Sequence, residues 1–307
     1  MTFEHLNGLI AAPFAPLGQD GKLDVTKIPG YYAFLKSNGI KGAFINGSTG
    51  EGVSLTVEEK KRVLEAWTAA AKGDPDFKVI PLVGGTSLYE CIGLAKHARD
   101  NGAYSIAMTS PFYFKPAGVD MLAKSCIMVA EQVPEIPFYY YHIPALTGVN
   151  YPMFELLSLL DGKLPNLAGI KYTHPDFMDF LACLRYKDGY YDMLWGLDEE
   201  MLPALSLGAK ASVGSTFNYA APLYHQLIAA FDKGDLVTAR ALQQQSIDMI
   251  RLLGKYGGIA TGKAYMKLVG MDLGEFRLPV RNMNDAQFAL FAQDVEGIGF
   301  SEYKSVL

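Results

Sequence analysis

Leu167-Ala-Gly-Ile-Lys-Tyr-Thr173 is an apolar run interrupted by a single charge, and the fold is read outward from it. A β-strand sends residues i and i+2 to the same face, so Gly169, Lys171 and Thr173 are expected to point one way and Ala168, Ile170 and Tyr172 the other. With apolar residues on both sides, the segment reads as a strand buried on both faces, as in a parallel sheet covered by helices. Lys171 is then an ammonium in a low-dielectric interior. Lost hydration favours the neutral amine and lowers its pKa from a reference near 10.4, at which fewer than about one lysine in a thousand is neutral at pH 7. A buried lysine shifted in this way is the usual means of forming a Schiff base with a carbonyl compound. The competing reading is a lysine at a strand end that snorkels to solvent or pairs with a carboxylate.

Similar runs recur at 9–17, 42–48, 79–85, 104–110, 137–143, 192–198 and 211–216, and amphipathic stretches at 57–72, 88–101, 119–133, 153–160 and 177–187 lie between them. Thr56 is placed to cap the first of these helices. Each strand–helix unit takes roughly 20 to 35 residues, the length a parallel βα unit requires. Eight units within about 220 residues predict an α/β fold, a closed (β/α)₈ TIM barrel. A doubly wound open sheet is the alternative, but no Gly-x-Gly-x-x-Gly follows the first strand. Helical patterns at 222–233, 236–255, 263–269 and 285–296 follow without another strand. We therefore expect 1–307 to form a single barrel domain, with 222–307 as a C-terminal helical extension that covers the barrel or builds a subunit interface.

Half the residues are hydrophobic and 19% are charged, which supports a large core and argues against disorder. A net charge of −5 with no long basic run argues against a nucleic-acid partner. Cys91, Cys126 and Cys183 are few, odd in number and widely spaced, which suggests packed thiols in a reducing compartment. The N-terminal residues lack a basic signal-peptide region, and no apolar run approaches the ~20 residues that span a bilayer, so a cytoplasmic protein with no membrane partner is expected. The five histidines (His5, His97, His142, His174 and His225) show no paired ligand spacing, and neither a metal nor a cofactor is expected. Gly257-Gly-Ile-Ala-Thr-Gly-Lys263 imitates a phosphate loop, but Ala264 replaces the magnesium-binding hydroxyl and a helix precedes it where a strand should.

In a (β/α)₈ barrel the chemistry sits at the C-terminal ends of the strands. Those ends read Asn46-Gly-Ser-Thr-Gly-Glu-Gly52, Thr109-Ser-Pro-Phe-Tyr113, Tyr141-His-Ile-Pro144, Lys171-Tyr-Thr173, Gly196-Leu-Asp-Glu199 and Gly214-Ser-Thr216. The Gly47–Gly50 turn is either an ordinary βα connection or a cradle of backbone N–H groups and hydroxyls for a carboxylate. Tyr141 is either a core aromatic or a proton-transfer group, since a nearby ammonium would favour its phenolate. Asp198 either caps a helix starting near Glu199 or, with Glu199, binds hydroxyls.

Taken together, Ala12-Pro-Phe, Gly47-Ser-Thr-Gly-Glu51, Tyr141-His-Ile-Pro144, Gly169-Ile-Lys171, Gly214-Ser215, Lys263 and Arg277-Leu-Pro279 give a chain that resembles the pyruvate-dependent class I aldolases, the dihydrodipicolinate synthase / N-acetylneuraminate lyase family. The synthases typically carry an arginine after the Tyr-x-x-Pro motif; here the loop is Ala145-Leu-Thr-Gly148. Gly196, Asp198, Glu199, Gly214 and Ser215 match the lyase branch instead. That resemblance implies reversible cleavage of N-acetylneuraminate to pyruvate and N-acetylmannosamine. It gives Lys171 as the Schiff-base lysine and Tyr141 as the proton-transfer group. Ser48 and Thr49 would hold the substrate carboxylate, with Ser48 also orienting Tyr141, and Thr173 would bond the departing oxygen. Gly196, Asp198, Glu199 and Ser215 would bind the hydroxyl chain. Tyr113 would be lent to a neighbouring subunit's site in a homotetramer. The alternatives are a related aldolase for another 2-keto-3-deoxy sugar acid and a non-catalytic barrel that binds a sugar acid.

Overall fold

In a computed structural model, which describes residues 4–307, the parallel strands close on one another. They are β1 (Gly8–Ala11), β2 (Gly42–Ile45), β3 (Lys78–Pro81), β4 (Ile106–Thr109), β5 (Phe138–His142), β6 (Leu167–Tyr172), β7 (Asp192–Trp195) and β8 (Ala211–Gly214). The hydrogen-bonded order is β3-β2-β1-β8-β7-β6-β5-β4. A parallel bridge between Leu82 and Ala107 joins the two ends, where Val83 N–H donates to the Ala107 carbonyl at 2.8 Å. This is the TIM barrel expected from the sequence.

Helices alternate with the strands, among them Val57–Ala70, Leu88–Asp100, Val119–Ala130, Met153–Leu160 and Phe177–Arg185. Thr56 caps the first as expected: its hydroxyl accepts from Glu59 N–H at 3.2 Å, and the Glu59 carboxylate accepts from Thr56 N–H at 2.9 Å. The helices Ile28–Ser37, Pro144–Thr147 and Met201–Leu207 have no clear counterpart in the sequence pattern. Each falls where a short amphipathic pattern is broken by Gly or Pro or is too brief to show a period. Beyond the Phe217–Asp232 helix, which position 222 lies inside, the helices Leu236–Lys255, Thr261–Leu268 and Asp285–Gly297 pack over the barrel. Cys91, Cys126 and Cys183 are buried free thiols, and no helix among the described residues is long and apolar enough to cross a membrane.

Two packed layers result. Ile10, Phe44, Ile80, Ala107, Leu194 and Val213 fill the barrel interior, while the larger cluster lies between strands and helices. Low in the interior, Tyr139 donates its hydroxyl to Asp192 at 2.9 Å, and Asp192 also accepts from Leu6 N–H at 3.1 Å. One expectation about β6 needs correction. The register shifts so that Phe138 faces Leu167 and Tyr139 faces Gly169, which leaves Ala168 as an extra residue. Ala168 therefore joins the interior cluster, whereas Ile170 and Tyr172 pack outward against the helices. Beyond this bulge the alternation holds, and Lys171 lies opposite Tyr141 on one side and Leu194 on the other.

Candidate active site

At the C-terminal ends of the strands lies a cavity of about 250 Å³, close to the lower end of the range for small-molecule sites. A larger cavity of about 650 Å³, lined by Lys72, Lys78 and Tyr104, sits at the opposite end, where β3 begins. Volume does not mark the site; the side chains do. Ser48, Thr49, Tyr141, Lys171, Thr173, Gly196, Asp198, Glu199 and Ser215 all line the smaller cavity.

Lys171 projects from β6 with 4% of its surface exposed. Its Nζ lies 3.9 Å from the centre of the Tyr141 ring and 4.1 Å from that of Phe44, and it forms no ion pair among the described residues. Burial pushes the amine down to about 7, with Asp198 pulling weakly the other way. A substantial share of these side chains is therefore neutral at pH 7. The snorkelling alternative is ruled out by this burial.

Tyr141 departs from expectation. Burial pushes its phenol up to about 12, and the nearby Ser48 and Thr173 hydroxyls offset this only in part. The Lys171 amine lies over the ring face, and in the neutral form that burial favours it brings no positive charge to the phenolate. At neutral pH Tyr141 is a phenol. Thr173, two residues beyond Lys171, keeps its buried Oγ1 without a well-formed hydrogen bond from the described residues.

The Ser48–Thr49 turn is held in a costly conformation. Asn46 and Glu51 at its ends adopt φ of 59° and 53°, left-handed values that asparagine tolerates but that cost a glutamate about 1–2 kcal/mol. A side chain at Gly52 would lie 1.9 Å from the Asn46 carbonyl, so only glycine closes the turn. The restraint comes from the far end of the chain. Lys263 Nζ donates to Glu51 Oε1 at 2.7 Å, and Arg277 N–H donates to Glu51 Oε2 at 2.9 Å. Both charged side chains of the Lys263–Glu51 pair are almost fully buried. The imitation phosphate loop thus ends in a lysine that braces the turn.

At β7, a Cβ on Gly196 would come within 1.9 Å of Thr173 Oγ1, so glycine leaves room for that hydroxyl. Asp198 does not cap the following helix. Its Oδ2 accepts from the Thr216 hydroxyl at 2.6 Å and from Thr216 N–H at 3.0 Å. Burial nevertheless pushes the carboxyl up to about 6, against the pull of those two bonds. Glu199 and Ser215 flank it at the cavity wall.

Tyr113 is the one expected residue that the structure does not bring to the cavity. It is 78% exposed on the β4 loop, edge-to-face with the exposed Phe114. Residues that the sequence reading assigned no role complete the site: Phe44 beneath the amine, Thr216 behind Asp198, the Glu51–Lys263 brace, and Ile250, Leu253 and Ile259 from the C-terminal helices. An ionic residue inside a small-residue turn was the available signal for Glu51. Nothing in the local pattern marks the three apolar residues as cavity lining.

A sequence profile of the Dihydrodipicolinate synthetase family matches residues 5–296. The N-acetylneuraminate lyase of Gallus gallus is 38% identical over 299 residues, covering 96% of this chain and 97% of that protein. Among solved structures, Proteus mirabilis N-acetylneuraminate lyase superposes with a TM-score of 0.93 at 37% identity, covering 97% of this chain and all of its own. The Aliivibrio salmonicida N-acetylneuraminate lyase (sialic acid aldolase) also gives 0.93, at 35% identity over 97% of this chain and 98% of its own. With barrel, interior lysine and near-complete coverage in agreement, the chain belongs to the dihydrodipicolinate synthetase family.

Proposed function

We propose that this protein is a class I aldolase that cleaves N-acetylneuraminate reversibly to pyruvate and N-acetylmannosamine. The observation that carries the reading is the buried Lys171 amine, free of any ion pair among the described residues and with its pKa lowered by burial, inside a cavity shared with a phenol, several hydroxyls and a separate pair of carboxylates. The lyases of Gallus gallus and Proteus mirabilis support the choice of substrate.

Lys171 Nζ attacks the C2 ketone of the open-chain sugar acid and water leaves, giving an iminium. As the C4 hydroxyl loses its proton, the C3–C4 bonding pair moves into the iminium, and the aldehyde departs from an enamine of pyruvate. Protonation at C3 and hydrolysis release pyruvate and restore the amine. Because Tyr141 is a phenol, we route the C4 proton through the substrate carboxylate, with Tyr141 donating to that group and Ser48 orienting it. Ser48 and Thr49 hold the carboxylate and Thr173 bonds the departing oxygen. Asp198, Glu199, Ser215 and the Gly196 backbone take the hydroxyl chain. Tyr113 would act in a neighbouring subunit's site within a homotetramer, a state that light scattering checks. The free thiols support a cytoplasmic location.

Pyruvate release from N-acetylneuraminate and from 2-keto-3-deoxygluconate, followed with a coupled reductase, tests the assignment. Faster cleavage of the second substrate would overturn the specificity, and no pyruvate from either would overturn the chemistry. Asp198→Asn and Glu199→Gln should raise KM for the sugar acid by about 10- to 100-fold, the worth of a charged hydrogen bond. Pyruvate adduct formation should hardly change in these variants, because pyruvate lacks the distal half. Equal damage to both would remove these residues from sugar recognition.

The same division predicts the pH dependence. The nucleophile is the neutral amine, so adduct formation should rise with pH and level off above about 7. Sugar-acid cleavage should show a second acid limb near 6, where Asp198 takes up a proton. In Asp198→Asn only the first limb should survive, and a second limb persisting in that variant would contradict the assignment.

A further inference from the structure

We propose that Ser246, Tyr224 and Thr216 form a directed chain of hydroxyls that positions the Asp198 carboxylate, so that helices outside the barrel tune recognition of the distal half of the substrate. The inference rests on the functional reading above and adds positioning residues to it.

The geometry is continuous. Thr216 Oγ1 lies 2.6 Å from Asp198 Oδ2 and 2.6 Å from the Tyr224 hydroxyl, which lies 2.8 Å from Ser246 Oγ. Tyr224 comes from the Phe217–Asp232 helix and Ser246 from Leu236–Lys255. Thr216, Tyr224 and Ser246 are at most 1% exposed, so water does not compete for their bonds. Counting protons gives the chain its direction. An ionised carboxylate can only accept, and each hydroxyl carries one hydrogen. Thr216 therefore donates to Asp198, Tyr224 donates to Thr216, and Ser246 donates to Tyr224, sharing its hydrogen with the Asp198 carbonyl at 3.3 Å. Gln243 Nε2 also donates to that carbonyl at 3.3 Å, while its Oε1 accepts from Leu202 N–H at 2.8 Å. The Asp198 backbone and one carboxylate oxygen are thus fixed from behind. No hydrogen bond among the described residues occupies Oδ1, which remains for substrate. Hydrogen bonds in series polarise one another, which favours the charged form of a carboxylate that burial would otherwise neutralise. The charged groups acting on Asp198 are Glu199 beside it and Lys171 on β6; Tyr141 on β5 and Tyr219 on the Tyr224 helix feel its charge but, as neutral phenols, add none of their own.

The experiment compares Tyr224→Phe and Ser246→Ala with Tyr219→Phe, which removes a buried phenol on the same helix that lies outside the chain. Titration of the Asp198 carboxyl by carbon-13 NMR, assigned with Asp198→Asn, should give a higher midpoint in both chain variants and no change in the control. KM for N-acetylneuraminate should rise about 5- to 10-fold, as for one lost hydrogen bond. Its kcat and borohydride trapping of pyruvate should stay within about twofold, a split that a general loss of packing would not produce. Unchanged midpoint and KM in both chain variants would overturn the proposal, as would an equal change in the control. Should Tyr224→Phe fail to fold, Ser246→Ala decides alone. A wild-type protein inert toward N-acetylneuraminate would sink the functional reading only, because the carboxyl titration needs no substrate and still judges the chain.

Discussion

Lys171→Met should give no covalent adduct when pyruvate and borohydride are added, and cleavage should fall by roughly 10⁴- to 10⁶-fold, as when other enzymes lose their nucleophile. The intact mass after reduction, followed by mapping of the modified peptide, measures this directly. The protein contains its own control. Lys171 and Lys263 are both buried, and burial lowers the pKa of both. They differ in company. Lys263 donates to Glu51 and to the Glu275 carbonyl, so its ammonium is stabilised and its lone pair is not available. Lys171 has aromatic faces and feels the charge of Asp198 without bonding to it. Modification should therefore map to 171 alone. A reducible adduct in Lys171→Met would end the proposed mechanism.

Lys263→Met is expected to destabilise the fold by about 3–5 kcal/mol, because it strands the buried Glu51 carboxylate without its counter-charge. For a chain of this length that corresponds to a melting point lower by roughly 5–10 °C. The double variant Lys263→Met with Glu51→Gln should recover much of the loss, since removing both charges also removes the unpaired one. The effect should reach catalysis too. Glu51 holds the strained end of the Ser48–Thr49 turn, so the half-saturating pyruvate concentration for adduct formation should rise in the single variant. A single variant that melts within a degree of the parent would show that the pair carries no structural weight.

Lys171 and Lys263 are not equally legible in the sequence. The positions of all eight strands followed from apolar runs, yet most of those runs were read two to six residues too far toward the C-terminus: β1 ends at Ala11 and β7 at Trp195. The cause is the site itself. Residues just beyond each strand, such as Asn46 and Asp198, are buried around the cavity, so the chain does not turn polar where the ladder ends. Strand alternation placed Lys171 and Thr173 together correctly, because the bulge at Ala168 lies before them. The state of Tyr141 is not legible locally, since it depends on how far the fold desolvates the phenol. Thr216 behind Asp198, Lys263 beneath Glu51 and the wall from Ile250 to Ile259 depend on pairings across tens to hundreds of residues, which no local period encodes.

The enclosure of Lys171 between Phe44 and Tyr141 has a thermodynamic consequence for the protein as a whole. Its amine titrates at about 7 when folded, against a reference near 10.4 for an unfolded chain. The unfolded state therefore gains a proton that the native state resists, and native stability declines as pH falls from about 10 to about 7 before levelling off. At neutral pH the deficit is on the order of 4 kcal/mol, a large share of the roughly 5–15 kcal/mol by which native domains are stable. An apolar residue at 171 would remove that cost, and on the proposed mechanism the resulting barrel would be sturdier and inert.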